Sequence, residues 1–273
     1  MIAIVTLTTD FGTRDSYVAE MKAAVLGINR HLHLVDVTHE VEPQDVVEGA
    51  LVLEAAAPRF PAGTVHLAVV DPGVGTERRG LVLAAGGHLF VAPDNGLLTP
   101  VIARGGWEAF ELAAPEYRGP EVSRTFHGRD VFAPAAAHLT LGVAPARFGP
   151  RVTDPVALPW PEARPVAGGI AGTVVYVDRF GNLVTSIEAA QVEMIAAAGG
   201  AVVRIAGAAL PLVGTYGELS LRGAGGVIGS RSRLEVAVRD GSAAARFRAR
   251  RGTPVVLSRT TRTPKSPRPS KAP

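Results

Sequence analysis

The residue types best suited to moving a proton occur at two places in this 273-residue chain. An apolar run, Val65 to Val70, stops abruptly on Asp71, and Pro72-Gly73-Val74-Gly75 turns the chain so that Arg78 and Arg79 come within reach of that carboxylate. Open α/β sheets place their chemistry where a buried strand ends on an acid beside a glycine turn. A strand-ending turn with a surface ion pair fits the stretch alone equally well. Farther on, Thr125-Phe126-His127-Gly128-Arg129-Asp130 precedes an apolar run from Val131 that has helical spacing. A histidine followed by glycine at a helix entrance is accessible, and its imidazole can move a proton or orient a water near neutral pH. Asp71, Arg78 and His127 thus offer a carboxylate, a guanidinium and an imidazole from separate loops.

Three further loops carry polar groups after strand-like runs. Asp10, in Thr8-Thr9-Asp10-Phe11-Gly12, is able to accept both hydroxyls of a ribose or to close an Asx turn. Asp178-Arg179-Phe180-Gly181-Asn182 supplies an acid, an aromatic face and an amide, or a plain β-turn. Gly229-Ser230-Arg231-Ser232-Arg233 precedes the apolar run Leu234–Val238. Other chemistries fit poorly. His31 and His33 have no third ligand at metal-binding spacing. The phosphate-cradling G-x-x-x-x-G-K-[ST], the dinucleotide G-x-G-x-x-G and the G-x-S-x-G nucleophile elbow are all missing from the sequence.

The elements that must position these groups alternate over the first 150 residues. Strands are expected at 2–8, 33–37 and 64–70, with helices at 16–28 (Asp15 as its N-cap), 44–57, 95–103 and 131–141. A hairpin is expected from 81–85 to 88–93 over Gly86-Gly87. Alternating strands and helices imply an α/β domain with a mostly parallel sheet flanked by helices. Four prolines between 154 and 168 suit a linker. Short strands then dominate at 172–177, 183–187, 201–205, 210–213, 234–238 and 254–257, as in a small β-barrel or sandwich. The expected domains are 1–153, a linker at 154–168, 169–258, and a disordered basic tail at 259–273.

Composition narrows the classes. The chain is 47% hydrophobic and 19% charged, which describes a folded protein. It has no cysteine, so disulfides and thiolate metal sites are excluded. The pI near 9.6 is largely a tail effect. Residues 259–273 hold five Lys or Arg and no acid, leaving 23 basic against 25 acidic groups in the rest. The body is therefore not a basic nucleic-acid binder. The apolar start, Met1 to Leu7, lacks a basic flank and is too short for a signal segment. No run is long enough to span a membrane, so a cytoplasmic location is expected.

Seven ordered motifs carry a resemblance. These are Thr-Thr-Asp-Phe-Gly (8–12), Asp-Val-Thr-His (36–39), Val-Asp-Pro-Gly-Val-Gly-Thr-x-Arg (70–78), Ala-Pro-Asp-Asn-Gly-Leu-Leu (92–98), Thr-Phe-His-Gly-Arg-Asp (125–130), Asp-x-Phe-Gly-Asn (178–182) and Ser-x-x-Arg-Leu-Glu-x-Ala-Val (230–238). Together they resemble the S-adenosyl-L-methionine (SAM) hydroxide adenosyltransferases, adenosine-forming hydrolases related to the fluorinase and chlorinase. The resemblance implies an α/β domain, a C-terminal β-barrel and a homotrimer with sites between subunits. SAM is then the substrate, with no cofactor and no metal. It implies a catalytic set on Asp71, Arg78 and His127, with the choice of base between Asp71 and His127 left open. Asp10 takes the ribose hydroxyls, Ser16 and Asp178 the methionine amino group, and Ser230 its carboxylate. Phe180 and Asn182 contact adenine, helped by backbone near Val238 and Asp240. Where the halogenases carry tyrosine and serine beside the halide, this chain has His127 and Gly128. It also lacks their long insertion, since Gly80 leads directly into the next strand, and both departures favour water as nucleophile. Gln44 replaces their tryptophan, and Gly229 and Arg231 replace the usual asparagine and aromatic. The alternatives are a chlorinase-like halogenase and a non-catalytic SAM or adenosine-binding protein.

Overall fold

The computed structural model describes residues 2–197 and 199–260, which divide into two compact units between Trp160 and Pro161. In the first unit, strands β1 (Ala3–Thr9), β2 (Leu32–Thr38), β3 (Val65–Val69), β4 (Gly80–Ala85), β5 (His88–Pro93), β6 (Trp107–Glu111) and β7 (Arg151–Val152) form one sheet. Its order is β2-β1-β3-β5-β4-β6-β7. Pairings are parallel from β2 through β5 and antiparallel from β5 to β7, so the sheet is mixed. β3 is buried on both sides, which explains why its sequence is apolar apart from His66. Val65, Leu67 and Val69 pack in one core with residues of α1 (Tyr17–Ile28) and α4 (Ala133–Thr140). Ala68 and the following Val70 pack in the other, with α2 (Val46–Ala56) and α3 (Thr99–Ala103).

Several boundaries differ from the sequence expectation for local reasons. The N-cap of α1 is Ser16, not Asp15, and no side chain caps it. α2 starts after Gln44, whose φ of 67° lies in the left-handed region, and Asp45 caps it by accepting from the Glu48 amide. α3 starts at Thr99 rather than Asn95 because Gly96, at φ 94°, turns the chain first. The helix expected from Val131 begins three residues earlier, as a π-wound turn over Gly128–Phe132 that continues into α4.

The second unit is an eight-stranded, nearly closed sheet. It comprises β8 (Arg164–Val166), β9 (Gly169–Val177), β10 (Leu183–Glu188), β11 (Ala201–Ile205), β12 (Ala208–Pro211), β13 (Ala224–Ile228), β14 (Arg233–Val238) and β15 (Pro254–Arg259). The order is β12-β11-β15-β9-β10-β14-β13, with β8 on β9, and the path closes where Val213 donates its amide to the Gly226 carbonyl (2.9 Å). The unit also carries two short helices, α5 (Ala189–Ala196) and α6 (Ala243–Phe247). Part of the expected linker has structure of its own. Val156 and Leu158 donate amides to Asp94 and Thr99, and β8 lies within 164–166. Residues 261–273, most of the expected tail, lie outside the described residues.

Candidate active site

The sheet order places a topological switch point between β1 and β3, from which successive connections leave in opposite directions. Thr9 and Val69 are register partners, so Asp10 and Asp71 emerge at the same carboxyl edge. The Asp71 side chain is only 4% exposed. Arg78 Nε donates to both of its oxygens at 3.0 Å, and Nη2 donates to Oδ2 as well. The same Nη2 lies 2.8 Å from His127 Nδ1. The Arg78 guanidinium also sits 5.1 Å from the centre of the Phe132 ring, in the π-wound turn that His127 opens. Such turns often mark functional sites because they displace one residue from the regular helix surface.

An arginine is always a donor, so His127 Nδ1 must accept, and the neutral ring carries its proton on Nε2. The ring's surroundings agree. Burial, then the positive charge of Arg78, hold the His127 pKa below its ordinary 6.5.

The two loops that supply these groups are in backbone contact. Gly75 has φ 79°, and a Cβ there would lie 2.4 Å from the Arg124 carbonyl oxygen. Beside the Asp71–Arg78–His127 set is a cavity of about 210 Å³ lined by Phe11, Tyr17, Val69, Val74, Phe126 and Gly128 among others. Phe11, Tyr17 and Phe126 pack with ring centres 5.2 to 6.0 Å apart. Gly128 keeps a side chain out of their way, since a Cβ would approach Met21, Phe126 and Phe11 at 3.2 to 3.3 Å. The cavity is apolar-walled with one charged end, so it fits a small group and a water rather than a whole cofactor.

Asp10 has one oxygen engaged, accepting the Gln44 amide at 2.8 Å. Ser16 is exposed, and its hydroxyl donates to Glu20 at 2.6 Å. Neither residue lines the 210 Å³ cavity. Arg79, which the sequence places as near to Asp71 as Arg78, pairs instead with Asp94 and Asp154.

The remaining sequence candidates gather in the second unit, around a cavity of about 900 Å³. Asp178 organises the β9–β10 turn: Oδ1 accepts the amides of Phe180 and Asn182, and Oδ2 accepts the Asn182 side chain. Phe180 is left 78% exposed at its tip. Asn182, Ser230, Val238 and Asp240 also line this cavity. Two of its residues had no role assigned from sequence. Glu235 is buried on β14 and accepts the Tyr216 hydroxyl at 2.8 Å. Burial, with Asp178 nearby, pushes the Glu235 carboxyl up, and Tyr216 is pushed up to about 12. A Cβ at Gly229 would fall 1.9 Å from Glu235 Oε1, so the glycine that replaces the expected asparagine leaves room for this carboxylate. The available signal was an acid at a strand-interior position in Leu234-Glu235-Val236. Arg231 lies over the Tyr176 ring, 4.7 Å from its centre. Among the described residues, no group of three or more His, Asp or Glu is arranged to hold a metal ion. None of the described helices is long and apolar enough to cross a membrane.

Comparison with known proteins gives consistent results for both units. The family model of the SAM hydroxide adenosyltransferase N-terminal domain matches residues 5–149, and that of the C-terminal domain matches residues 172–256. An (R)-S-adenosyl-L-methionine hydrolase from Thermus thermophilus is 41% identical over 258 residues, covering 91% of this chain and 97% of that protein. Another from Salinispora tropica is 49% identical over 183 residues, covering 66% and 70% respectively. The crystal structure of an uncharacterized conserved protein from Thermotoga maritima superposes with a TM-score of 0.88 at 34% identity, covering 94% of this chain and all of that one.

Proposed function

Since this chain belongs to the SAM hydroxide adenosyltransferase family, we propose that it hydrolyses S-adenosyl-L-methionine to adenosine and L-methionine. Water attacks C5′ of the ribose, the C5′–S bond breaks, and its electron pair leaves with the sulfur. The observation that carries the reading is the contact of Asp71, Arg78 and His127 at one end of an aromatic-walled cavity.

The chemistry asks little of a leaving-group catalyst. The sulfonium departs as a neutral thioether, so neither a general acid nor a metal ion is required, and the reading includes none. What is needed is an aligned nucleophile, and alignment is worth roughly 7–11 kcal/mol when the reacting atoms are held in line. Water must also lose a proton as it attacks. His127, with Nδ1 accepting from Arg78, offers Nε2–H as a donor that orients the oxygen. This makes Asp71 the proton acceptor and Arg78 the cation that stabilises developing hydroxide. Attack on a cationic substrate also cancels charge, which a water-poor cavity favours.

In this reading Asp10 holds the ribose hydroxyls, and the exposed Phe180 face with Asn182 and backbone near Val238 and Asp240 holds adenine. Ser16 and Asp178 receive the amino group and Ser230 the carboxylate. The proposed assembly is a cytoplasmic homotrimer in which the N-terminal unit of one copy and the C-terminal unit of another complete each site. Co-expression of Asp71→Ala and Asp178→Ala chains in equal amounts tests this, because one site in each mixed trimer, about a quarter of all sites, then combines two intact halves. Recovery of activity supports shared sites, and its absence in mixed trimers contradicts them.

The hydrolase assay itself is direct: purified protein with SAM, products separated by chromatography. Adenosine and methionine in equal amounts are expected. The halogenase reading predicts 5′-chloro-5′-deoxyadenosine at high chloride, and His127 and Gly128 in place of halide-binding hydroxyls argue against it. Calorimetric binding of SAM with no product over hours marks the non-catalytic alternative.

A further inference from the structure

The turn from Val70 to Arg79 carries Asp71 and Arg78 one residue inside each end. Its two ends are held by adjacent residues that follow β5, the Val70 end by Asn95 and the Arg79 end by Asp94. Asn95 Nδ2 donates to the Val70 carbonyl at 2.8 Å. Its Oδ1 accepts the Leu97 amide, which fixes which way the side-chain amide faces. At the other end, the Asp94 amide donates to the Arg79 carbonyl at 2.9 Å. The Asp94 carboxylate, 2% exposed, takes the Arg79 guanidinium through Nε at 2.9 Å and Nη2 at 2.7 Å. It is braced in turn, because Oδ1 accepts the Val156 amide at 2.8 Å. Arg79 also reaches Asp154 at 3.0 Å.

We propose that Asp94 and Asn95 are positioning residues that clamp the two ends of the Val70–Arg79 turn and thereby set Asp71, Arg78 and His127 in register. The physical case is geometric. The turn between the clamps contains two glycines, its backbone and Thr76 make only short-range bonds within it, and what spans it is the Asp71–Arg78 pair whose placement is at issue. Such a loop does not by itself hold two side chains to a fraction of an ångström. A charge-assisted pair whose carboxylate is buried on one end and an amide–carbonyl bond on the other do so, because each is costly to break away from water. Arg79 is thus not idle beside Arg78: its side chain is the anchor for the end of the turn.

The kinetic part of the test rests on the hydrolase reading, whereas a second part does not. Asn95→Asp is nearly isosteric but faces the Val70 carbonyl with an acceptor, and Asp94→Asn removes the charge opposite Arg79. Each is expected to lower kcat about 10- to 100-fold, as for a remote misplacement of reacting groups. KM for SAM is expected to stay within about twofold, because neither residue is in the proposed substrate contacts. Arg79→Lys, which keeps a charge against Asp94, retains more activity than Arg79→Ala. Independently of turnover, NMR titration of His127, identified by its loss in His127→Gln, follows the set directly. In the clamp variants its pKa moves up toward 6.5 as Arg78 withdraws. Variants that melt at lower temperature but leave kcat and the His127 titration unchanged overturn the clamp. A wild-type protein that makes no adenosine overturns the hydrolase reading, and the His127 titration still decides the clamp.

Discussion

Arg78 Nη2 bonds the Asp71 carboxylate on one side and His127 Nδ1, 2.8 Å away, on the other. One guanidinium nitrogen therefore joins residues that are 56 positions apart in the chain. It also fixes the imidazole tautomer, because a donor facing Nδ1 leaves the ring proton only on Nε2. The choice of base, open between two residues on sequence grounds, then turns toward Asp71. An Nε2–H already in place orients a water but takes no proton from it.

This arrangement predicts the acid limb of the rate profile. Protonating His127 puts an N–H against the Arg78 N–H and breaks the set. Burial and Arg78 hold the folded pKa below 6.5, so His127 stays neutral at pH 7. The acid limb of the rate profile is therefore expected to have its midpoint below pH 6.5. An acid limb with its midpoint at or above pH 7 contradicts a neutral His127.

Arg78→Lys preserves charge and loses geometry. A single ammonium cannot reproduce the fork that meets both Asp71 oxygens while a second nitrogen reaches His127. A fall in kcat of about 100-fold or more is expected, with melting temperature little changed. Steady-state kinetics beside a thermal melt checks both halves, and near wild-type turnover contradicts the bridging role.

Gly75→Ala probes the contact between the two loops. The residue sits at φ 79°, and the added methyl meets the Arg124 carbonyl at 2.4 Å. Strain of about 1–3 kcal/mol is expected from the backbone alone, and the clash pushes the 124–127 segment from Arg78. Activity should drop more than stability accounts for. Gly63→Ala, also at positive φ but with nothing within 4 Å, is the control that carries strain without the displacement.

Asp71 and His127 were legible because each follows a clear physical signal: a β-branched run cut off by an acid and glycine turn, and a histidine–glycine pair before an apolar helix. The parallel half of the sheet was legible for the same reason, since β3 is buried on both faces and apolar apart from His66. β13 was not, because Gly225 and Gly226 erase its pattern. They are glycines because Leu219 and Val203 crowd the backbone there, at 2.6 and 2.5 Å from an added Cβ. β6 was missed as well, a five-residue strand directly after Gly105-Gly106. The roles of Asp94, Asn95 and Arg79 were invisible for a different reason. They depend on which carbonyl or carboxylate a side chain meets across the sheet, and no spacing rule carries that.

Away from the site, His66 makes the stability of the first unit depend on pH. His66 on β3 is 1% exposed, with Thr6 Oγ1 at 2.8 Å from Nδ1 and His88 Nδ1 at 3.2 Å from Nε2. With both rings neutral the chain is consistent: Thr6 donates to His66 Nδ1, and His66 Nε2–H donates to His88. Protonating His66 removes the acceptor for Thr6 and buries a charge between Phe60 and Phe90. Burial, then His88, push the His66 pKa down to about 4. In the unfolded chain the same group titrates near 6.5, so the unfolded state alone gains a proton between those values. Stability is therefore full above pH 6.5, declines as pH falls, and levels off near pH 4, a loss on the order of 3 kcal/mol from this residue. Urea unfolding at pH 7 and pH 4.5 measures it, and His66→Gln is expected to reduce the difference. An equal pH dependence in the variant rules out His66 as its source.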